Sequence, residues 1–387
     1  MCAGHGAEGE DQPDQCVRCQ RSLFEQLEPD VGRKTAGHDS STRCPWTSCS
    51  MPLERVRAIT AATSSVDPSS TPMWLWEAGS PIPVNRTKRT HVRVTLRAMQ
   101  FHLFLPQMRL SIPQLVERAR AAESAGFGGI ALMDHLVPPN AVDQPMYEAM
   151  TTATWLAAAT ETLHVGHLVL CDAMRHPAVL ARQAVTLDHA SGGRFELGLG
   201  WGSVPRELET FGVASTAPRS RVDRMSETLD LLRALWSGET VDFGGQYHRV
   251  VGGQQLPKPL ARLPIVIGGA GPRTMQLVAG HADWWNLPIH KIDQLEGLRA
   301  TAGSARVSIQ LMVTLIRSEA DREDVIAAAD RRFGFMPVAG RAIGNAEQLA
   351  AVFDFYAARG VERIYTWFTD FAQPDTLAAF GRHLIGR

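Results

Sequence analysis

From Met99 onward the chain alternates short apolar strands with amphipathic helices, and this alternation constrains its fold more than any other feature. The stretch 164–202 shows one such unit clearly. An apolar run ends near Leu170, a helix pattern follows from Pro177, and a second apolar run begins at Arg194. Strand–helix–strand units of this kind build parallel sheets, and the loops that follow their strands carry the ligands.

The same alternation predicts eight strands. They cover Phe101–Leu105, Gly129–Met133, Leu163–Leu170, Arg194–Leu199, Pro264–Ile267, Ala282–Asn286, Val307–Ile316 and Ile364–Phe368. Ser111 and Gln114 have capping-box spacing and open the first helix, and residues 241–250 predict a small hairpin outside the main sheet. Eight strand–helix units favour an α/β fold of the (β/α)8 TIM barrel type, whose typical size is about 250 residues plus insertions. A doubly wound sheet is the alternative, but no obvious dinucleotide-binding fingerprint supports it.

The first 97 residues differ from this body, because they lack sustained apolar periodicity. Cys16 and Cys19 form a C-x-x-C pair, but Cys44 and Cys49 are spaced as C-x4-C, so the pattern matches a zinc site only in part. The lack of periodicity favours a disordered extension, Met99 directly before the first strand suggests a start codon assigned too early, and no metal site is expected. We predict a boundary between this extension (1–97) and a barrel domain spanning 98–387.

Composition excludes several classes of function. The net charge is −1 at pH 7, which does not suit a surface that binds nucleic acid or an anionic membrane. No apolar run approaches the roughly 18 to 20 residues that a membrane helix needs. The N-terminal residues lack the basic start and apolar core of a secretory signal. We therefore expect a cytoplasmic protein that acts on a small molecule.

The second predicted strand is followed by Asp134 and His135, at the kind of position where a barrel holds its catalytic groups. An imidazole there could exchange protons near neutral pH, and the adjacent carboxylate could orient it or cap the next turn. A lone histidine in a loop is more often structural. Its place at a strand end nevertheless makes His135 our candidate catalytic residue.

A polar motif, Arg175-His176-Pro177, follows the third predicted strand. Pro177 suits the first position of a helix, so part of the motif marks a helix start. Arg175 suits either an anionic group of a ligand or a neighbouring carboxylate, and the residues alone leave both open.

Two glycine-rich loops follow the fourth and fifth predicted strands. Glycines let backbone amides approach a flat or anionic ligand closely, and free amides at a helix N-terminus bind anions. A tight turn without a ligand explains either loop alone, but two such loops on one barrel face favour a phosphorylated cofactor. The residues concerned are Gly198, Gly200, Trp201 and Gly202 in the first loop and Gly268, Gly269, Ala270 and Gly271 in the second.

Taken in order, these motifs resemble those of the luciferase-like monooxygenase family of flavin and deazaflavin oxidoreductases. The matching segments are FHLFLPQ (101–107), AAESAGFGGIALMDH (121–135), RHPAVLARQAVTLDHASGGRFELGLGWG (175–202), RMSETLDLLRALWSG (224–238) and PIVIGGAGPRT…ADWWN (264–286). Each segment is a weak signal alone, but the set is specific and covers nearly all of the body. Met133, Asp134 and His135, with the RHP-x-x-L-A run, look most like the branch that uses coenzyme F420, a deazaflavin.

The resemblance implies that the barrel mouth binds an isoalloxazine-type ring, with His135 near its reactive part and Asp134 as the acidic partner in the family's pair. The family often carries a non-prolyl cis peptide bond in its third strand, which here falls near Leu168 and Val169. Our candidate cofactor-binding residues are Asp134, Leu168, Val169, Arg175, His176, Gly200, Trp201, Gly202, Gly268, Gly269, Ala270 and Gly271.

One departure limits the resemblance. Sugar-phosphate dehydrogenases of the F420 branch carry an acidic residue just after the first glycine-rich loop, where this chain has Ser203. Glu207 is the nearest acid, and we expect it to form a structural salt bridge. The sugar-phosphate substrate is therefore not carried over.

Three hypotheses of function follow. The first is an F420-dependent oxidoreductase, a homodimer by family resemblance, that transfers a hydride between the coenzyme and a small organic substrate. The alternative within the family is a monooxygenase that uses reduced FMN and O₂. The third is a non-catalytic binding barrel whose N-terminal cysteines form a zinc-dependent interaction module.

Overall fold

A computed structural model describes residues 99–139, 141–213 and 217–385, and within them eight parallel strands close into one barrel. In chain order the strands are β1 (Gln100–Phe104), β2 (Gly129–Leu132), β3 (His164–His167), β4 (Phe195–Gly200), β5 (Ile265–Gly268), β6 (Trp284–Leu287), β7 (Arg306–Leu315) and β8 (Arg363–Phe368). Each strand pairs with the next, and β8 also pairs with β1, which closes the ring. The predicted TIM barrel is confirmed and the doubly wound sheet is wrong.

The predicted boundary at residues 97 and 98 falls at the edge of the described part. Cys16, Cys19, Cys44 and Cys49 lie outside the described residues. The zinc question and the domain boundary therefore both stay predictions.

Helices cover the outside of the barrel. They are α1 (Ile112–Ser124), α2 (Ala149–Ala159), α3 (Pro177–Ala190), α4 (Pro205–Thr210), α5 (Pro218–Trp236), α6 (Pro272–His281), α7 (Leu295–Arg299), α8 (Arg322–Phe333), α9 (Ala346–Ala358) and α10 (Pro374–Leu384). Ser111 caps α1 in a capping box with Gln114, as their spacing predicts. The Phe101 ring on the outer face of β1 lies 5.0 Å from that of Phe353 and 5.3 Å from that of Phe380. Burying such side chains contributes about 1.5 to 3 kcal/mol each, so this layer holds the barrel closed.

The third strand is shorter than predicted. β3 stops at His167, and a non-prolyl cis peptide bond joins Leu168 to Val169, where the family resemblance placed one. Leu170 and Cys171 then form a separate two-residue strand beside β4. The continuous strand predicted to Leu170 is therefore wrong in its last residues.

Two elements beyond β7 are not predicted by the sequence. These are α8 and the short strand Arg341–Gly344, which pairs in parallel with the end of β7. The helix buries only Ala329 and Phe333, so it lacks an apolar stripe that a periodicity argument could detect. The predicted hairpin is present as Val241–Gly244 paired antiparallel with Arg249–Gly253.

The interior of the barrel has two contrasting walls near its mouth. Alternate residues of each strand face inward. On β4 and β5 these include Gly198, Gly200 and Gly268, which leave space. Phe104 of β1 and Trp367 of β8 lie on the opposite side of the ring, with ring centroids 5.4 Å apart. A glycine wall therefore faces an aromatic wall.

The opposite end of the interior is filled by a buried ion pair. Arg363 donates hydrogen bonds to both oxygens of Glu196, at 2.6 and 3.0 Å. Its guanidinium also lies 3.7 Å from the ring centroid of Trp284 and donates to the Tyr365 hydroxyl. Burial raises the pKa of Tyr365 to about 12, so the phenol stays neutral. Because this ion pair fills one end of the interior, a ligand has room only at the C-terminal ends of the strands.

Candidate active site

His135 and Glu207 form the central polar pair of the site. The Nδ1 of His135 lies 2.9 Å from Oε2 of Glu207, and only 18% and 4% of the two side chains are exposed. Glu207 belongs to α4, which follows β4, so the pair joins the loops after two different strands. In the tautomer that donates from Nδ1 to this carboxylate, Nε2 is free to accept a proton.

Glu207 also fixes the loop that carries His135. Its Oε1 accepts hydrogen bonds from the backbone N–H groups of Leu136 and Val137, the second at 3.1 Å. We expected Glu207 to form a structural salt bridge; the structure shows it hydrogen-bonded to the candidate catalytic residue His135 and to the loop that follows it. The sequence places Glu207 after the first glycine-rich loop but does not show that it faces His135.

Asp134 is held by the protein on both of its oxygens. Arg175 donates to each of them, at 3.0 Å for Nη2 to Oδ1, and the Cys171 backbone N–H donates to Oδ2 at 2.7 Å. Arg175 extends to Glu148 at 2.7 Å. Of the two roles that the sequence leaves open for Arg175, the structure shows pairing with carboxylates. Direct contact of Asp134 or Arg175 with a cofactor stays a prediction, and their visible role is to tie the loops after β2 and β3 together.

Val169 forms the floor of the site. After the cis peptide bond its side chain packs over the glycine wall. A Cβ atom added at Gly200 would lie 2.6 Å from Cγ2 of Val169, and one at Gly268 would lie 3.8 Å from Cγ1. At Gly198 an added Cβ would lie 1.9 Å from the carbonyl oxygen of His167. These glycines therefore make room for the kinked strand, and Val169 presents a shaped apolar surface to the mouth.

The two loops beyond the glycine wall need glycine for their backbone conformation. Gly202 has a φ of +88° and Gly269 a φ of +130°, both unfavourable for other residues. The carbonyl of Gly269 accepts a hydrogen bond from Trp285 Nε1 at 2.7 Å. Gly271 caps α6, whose first turn leaves backbone N–H groups free to bind an anion. The tight turn accounts for the glycines, and the same loop still has backbone N–H groups with which to bind a ligand.

Trp201 and His176 flank this region. The Trp201 ring lies 5.1 Å from the guanidinium carbon of Arg221, whose Nε has no hydrogen-bond partner among the described residues. His176 is the N-cap of α3, and its Nδ1 accepts a hydrogen bond from the Ala178 N–H at 3.2 Å. His176 therefore has a structural role at the helix start, while its contact with a cofactor stays a prediction.

A separate apolar cluster lines the interior of the barrel, apart from the layer between barrel and helices. Its members are Phe104, Ala131, Met133 and Tyr365, with Met146, Leu168 and Trp367 packed against them. Sequence reasoning did not identify it as part of the site. The signal was available, because Phe104 and Trp367 occupy inward positions of the two-residue strand alternation.

The described residues give little support for a metal site, a reactive thiol or a membrane-spanning helix. Across 99–139, 141–213 and 217–385, no group of three or more His, Cys, Asp or Glu side chains is placed to hold a metal ion. Cys171 is buried, which raises its pKa to about 11 and keeps it as an unreactive thiol. Among the same residues, no helix combines the length and apolar character that crossing a membrane would take.

The sequence shares extended similarity with known proteins. A profile of the luciferase-like monooxygenase family matches residues 93–383. The F420-dependent hydroxymycolic acid dehydrogenase of Mycobacterium tuberculosis is 33% identical over 50% of this chain and 54% of that protein. The F420-dependent glucose-6-phosphate dehydrogenase of Nakamurella multipartita is 33% identical over 44% of this chain and 50% of that protein. The chain spans about half the length of these curated relatives.

Solved structures share the fold at lower sequence identity. An F420-dependent secondary alcohol dehydrogenase in complex with an F420–acetone adduct superposes with a TM-score of 0.64 at 17% identity, over 75% of this chain and 99% of that one. A long-chain alkane monooxygenase gives a TM-score of 0.62 at 15% identity, over 74% and 90% of the two chains. At these identities the likeness concerns the fold alone.

Proposed function

The chain belongs to the luciferase-like monooxygenase family, and on that premise we propose that it is an oxidoreductase dependent on coenzyme F420. The observation that carries the proposal is the His135–Glu207 pair in the loops after β2 and β4, at the end of the barrel where Val169 packs over the glycine wall. The curated relatives named above, both F420-dependent dehydrogenases, support F420 over FMN.

The surface formed by Val169, Gly200 and Gly268, which we call the cradle, fits a flat ring. Val169 offers an apolar surface, and Gly200 and Gly268 beneath it carry no side chain that would displace it. The first turn of α6 and the loop from Gly268 to Gly271 suit a phosphate-bearing tail. In this proposal Leu168, Val169 and the two glycine-rich loops hold the coenzyme, while Asp134 and Arg175 tie together the loops after β2 and β3.

Bound F420 supplies a ring carbon that accepts or gives a hydride. His135 manages the proton that accompanies it. When an alcohol is oxidised to a carbonyl compound, the coenzyme would take the hydrogen on the carbon as a hydride, and Nε2 of His135 would accept the hydroxyl proton. Glu207 stabilises the imidazolium that results, because its carboxylate lies 2.9 Å from Nδ1. The reverse reaction uses the same groups.

The choice of cofactor and the role of the acid–base pair are tested in separate experiments. Purified protein is titrated with F420 and with FMN while the fluorescence of each is followed, and we expect saturable binding of F420 alone. Tight FMN binding without a response to F420 would overturn the proposal in favour of an FMN-dependent monooxygenase.

Variants then test the acid–base pair. We expect His135→Asn to keep F420 binding but to lower turnover by about 10²- to 10⁴-fold, the usual effect of losing a general acid–base group. Glu207→Gln should lower turnover and shift the pH–rate profile, because the imidazolium loses its counter-charge. The matched control is His383→Gln, which changes an exposed histidine on α10. Unchanged turnover in His135→Asn would remove His135 from the mechanism.

We also propose that the protein is a homodimer formed through α2. This helix contains no charged residue, and its outward positions are Thr151, Thr154, Trp155 and Ala158. Trp155 is 59% exposed, which is unusual for a large aromatic side chain on a free surface. Light scattering on Trp155→Glu should give a monomer where the unaltered protein gives a dimer, and an unchanged mass would refute the interface.

A further inference from the structure

The barrel mouth is apolar on the side that faces the coenzyme cradle. Phe104 and Trp367 stand opposite Gly200 and Gly268, and Met133, Met146 and Leu168 pack in the same interior cluster. A substrate lying between the cradle and this wall therefore meets aromatic rings and methionine side chains. Such a surface stabilises apolar groups and gives no compensation for a desolvated charge.

A line of aromatic rings continues from this wall to the surface. The Phe333 ring meets Trp367 edge-on at 4.6 Å between centroids, and the Phe335 ring lies 6.0 Å from that of Phe333. Phe104 and Phe333 are buried, Trp367 between them is half-buried, and Phe335 at the end of the line is 60% exposed. We call these four residues the aromatic track. It starts beside the reacting position and ends in solvent.

The outer part of the aromatic track belongs to α8 and the segment that follows it. Phe333 ends α8, the helix inserted after β7, and it is one of only two residues that this helix buries. The following segment reaches towards the loop after β6, where a Cβ added at Gly340 would lie 3.0 Å from the Ile289 side chain. The insertion thus lies over one side of the mouth. Its largest outward side chain is Phe335, whose exposure costs free energy that a bound apolar group would recover.

We propose that the substrate is an alcohol or its carbonyl counterpart that carries an extended apolar group, and that this group binds along the aromatic track. The proposal rests on the proposed F420-dependent function and specifies its substrate class. The carbinol carbon lies near the cradle, its hydrogen leaves as hydride to F420, and its hydroxyl proton passes to His135. The apolar group extends past Trp367 and Phe333 towards Phe335.

The turnover experiment compares isopropanol with octan-2-ol as reductants of F420. Octan-2-ol has five more methylene groups than isopropanol, and each one bound in the track should raise kcat/KM by about fourfold, which gives a ratio of about 1,000. Phe335→Ser should lower this ratio about tenfold, whereas Phe355→Ser, which alters an exposed phenylalanine of α9, should leave it unchanged. Equal kcat/KM for the two alcohols would overturn the proposal.

Binding of an apolar alcohol to the aromatic track can be measured without the coenzyme, and so independently of the proposed function. A brominated decanol should quench tryptophan fluorescence, and Trp367→Phe should remove most of that quenching. If F420 fails to bind but the quenching persists, the proposed function fails and the aromatic track stands. Absence of quenching overturns the track. So does a change in oligomeric state in Phe335→Ser that leaves quenching and the alcohol ratio intact, since Phe335 would then contact a second copy of the chain.

Discussion

Replacing Gly200 by alanine should damage coenzyme binding through the floor of the site. A Cβ at this position would lie 2.6 Å from Cγ2 of Val169. Carbon atoms in van der Waals contact are about 3.5 to 4.0 Å apart, so either Val169 or β4 must move by about 1 Å. Val169 sits on a kinked backbone and has little freedom, because its β-branched side chain has restricted rotamers.

The size of the effect follows from this overlap. Overpacking a well-packed site costs about 1 to 3 kcal/mol, and each 1.4 kcal/mol corresponds to a tenfold change in a binding constant. We therefore expect Gly200→Ala to weaken F420 binding by about 10- to 100-fold. The second substitution Val169→Ala removes the clashing methyl groups, so the double variant should bind F420 more tightly than Gly200→Ala alone.

The assay is a fluorescence titration of F420 with the unaltered protein, both single variants and the double variant. Gly244→Ala is the control, because a Cβ at that hairpin glycine would meet no atom within 4 Å. The four dissociation constants form a double-mutant cycle that isolates the contact between positions 169 and 200. Equal affinities in Gly200→Ala and Gly244→Ala would refute the role of the glycine wall.

Two further predictions concern stability. Asp134→Asn breaks the buried pair with Arg175 and should lower the free energy of unfolding by about 3 to 5 kcal/mol in urea, whereas Glu148→Gln, which alters the half-exposed partner of the same arginine, should cost less than about 1 kcal/mol. Burial lowers the pKa of His167 to about 4, below its ordinary value of 6.5, so its contribution to stability is present above pH 6.5 and lost as the pH falls towards 4. About 2 to 3 kcal/mol should disappear between pH 7 and 4.5, and His167→Leu should reduce that loss; an equal loss in the variant would contradict the assignment.

The barrel was predictable because its signals are local. Runs such as Phe101–Leu105 and Gly129–Met133 are apolar over strand length and end at loop residues, and helix starts such as Ser111 carry their own capping pattern. Eight repeats of these local signals allow few arrangements other than a closed barrel. The polar helix α8 lacks such a signal, and for that reason the sequence misses it.

The site was predictable only in part because its decisive contacts are long-range. His135 stands out by its place at a strand end, but its partner Glu207 is 72 residues away. The glycines suggested a close approach by a ligand, whereas Gly198 and Gly200 are required first by the neighbouring strand. Only three-dimensional packing shows that Val169 fills the space they leave.

A crystal structure of the protein with F420 bound tests the central claim most directly. We expect the deazaflavin ring to lie against Val169 and the glycine wall, at about 3.5 to 4.0 Å from the Val169 side chain, with His135 facing its reactive edge. Its phosphate should lie near the first turn of α6. A ring bound elsewhere, or one that leaves His135 and Val169 untouched, would contradict the account.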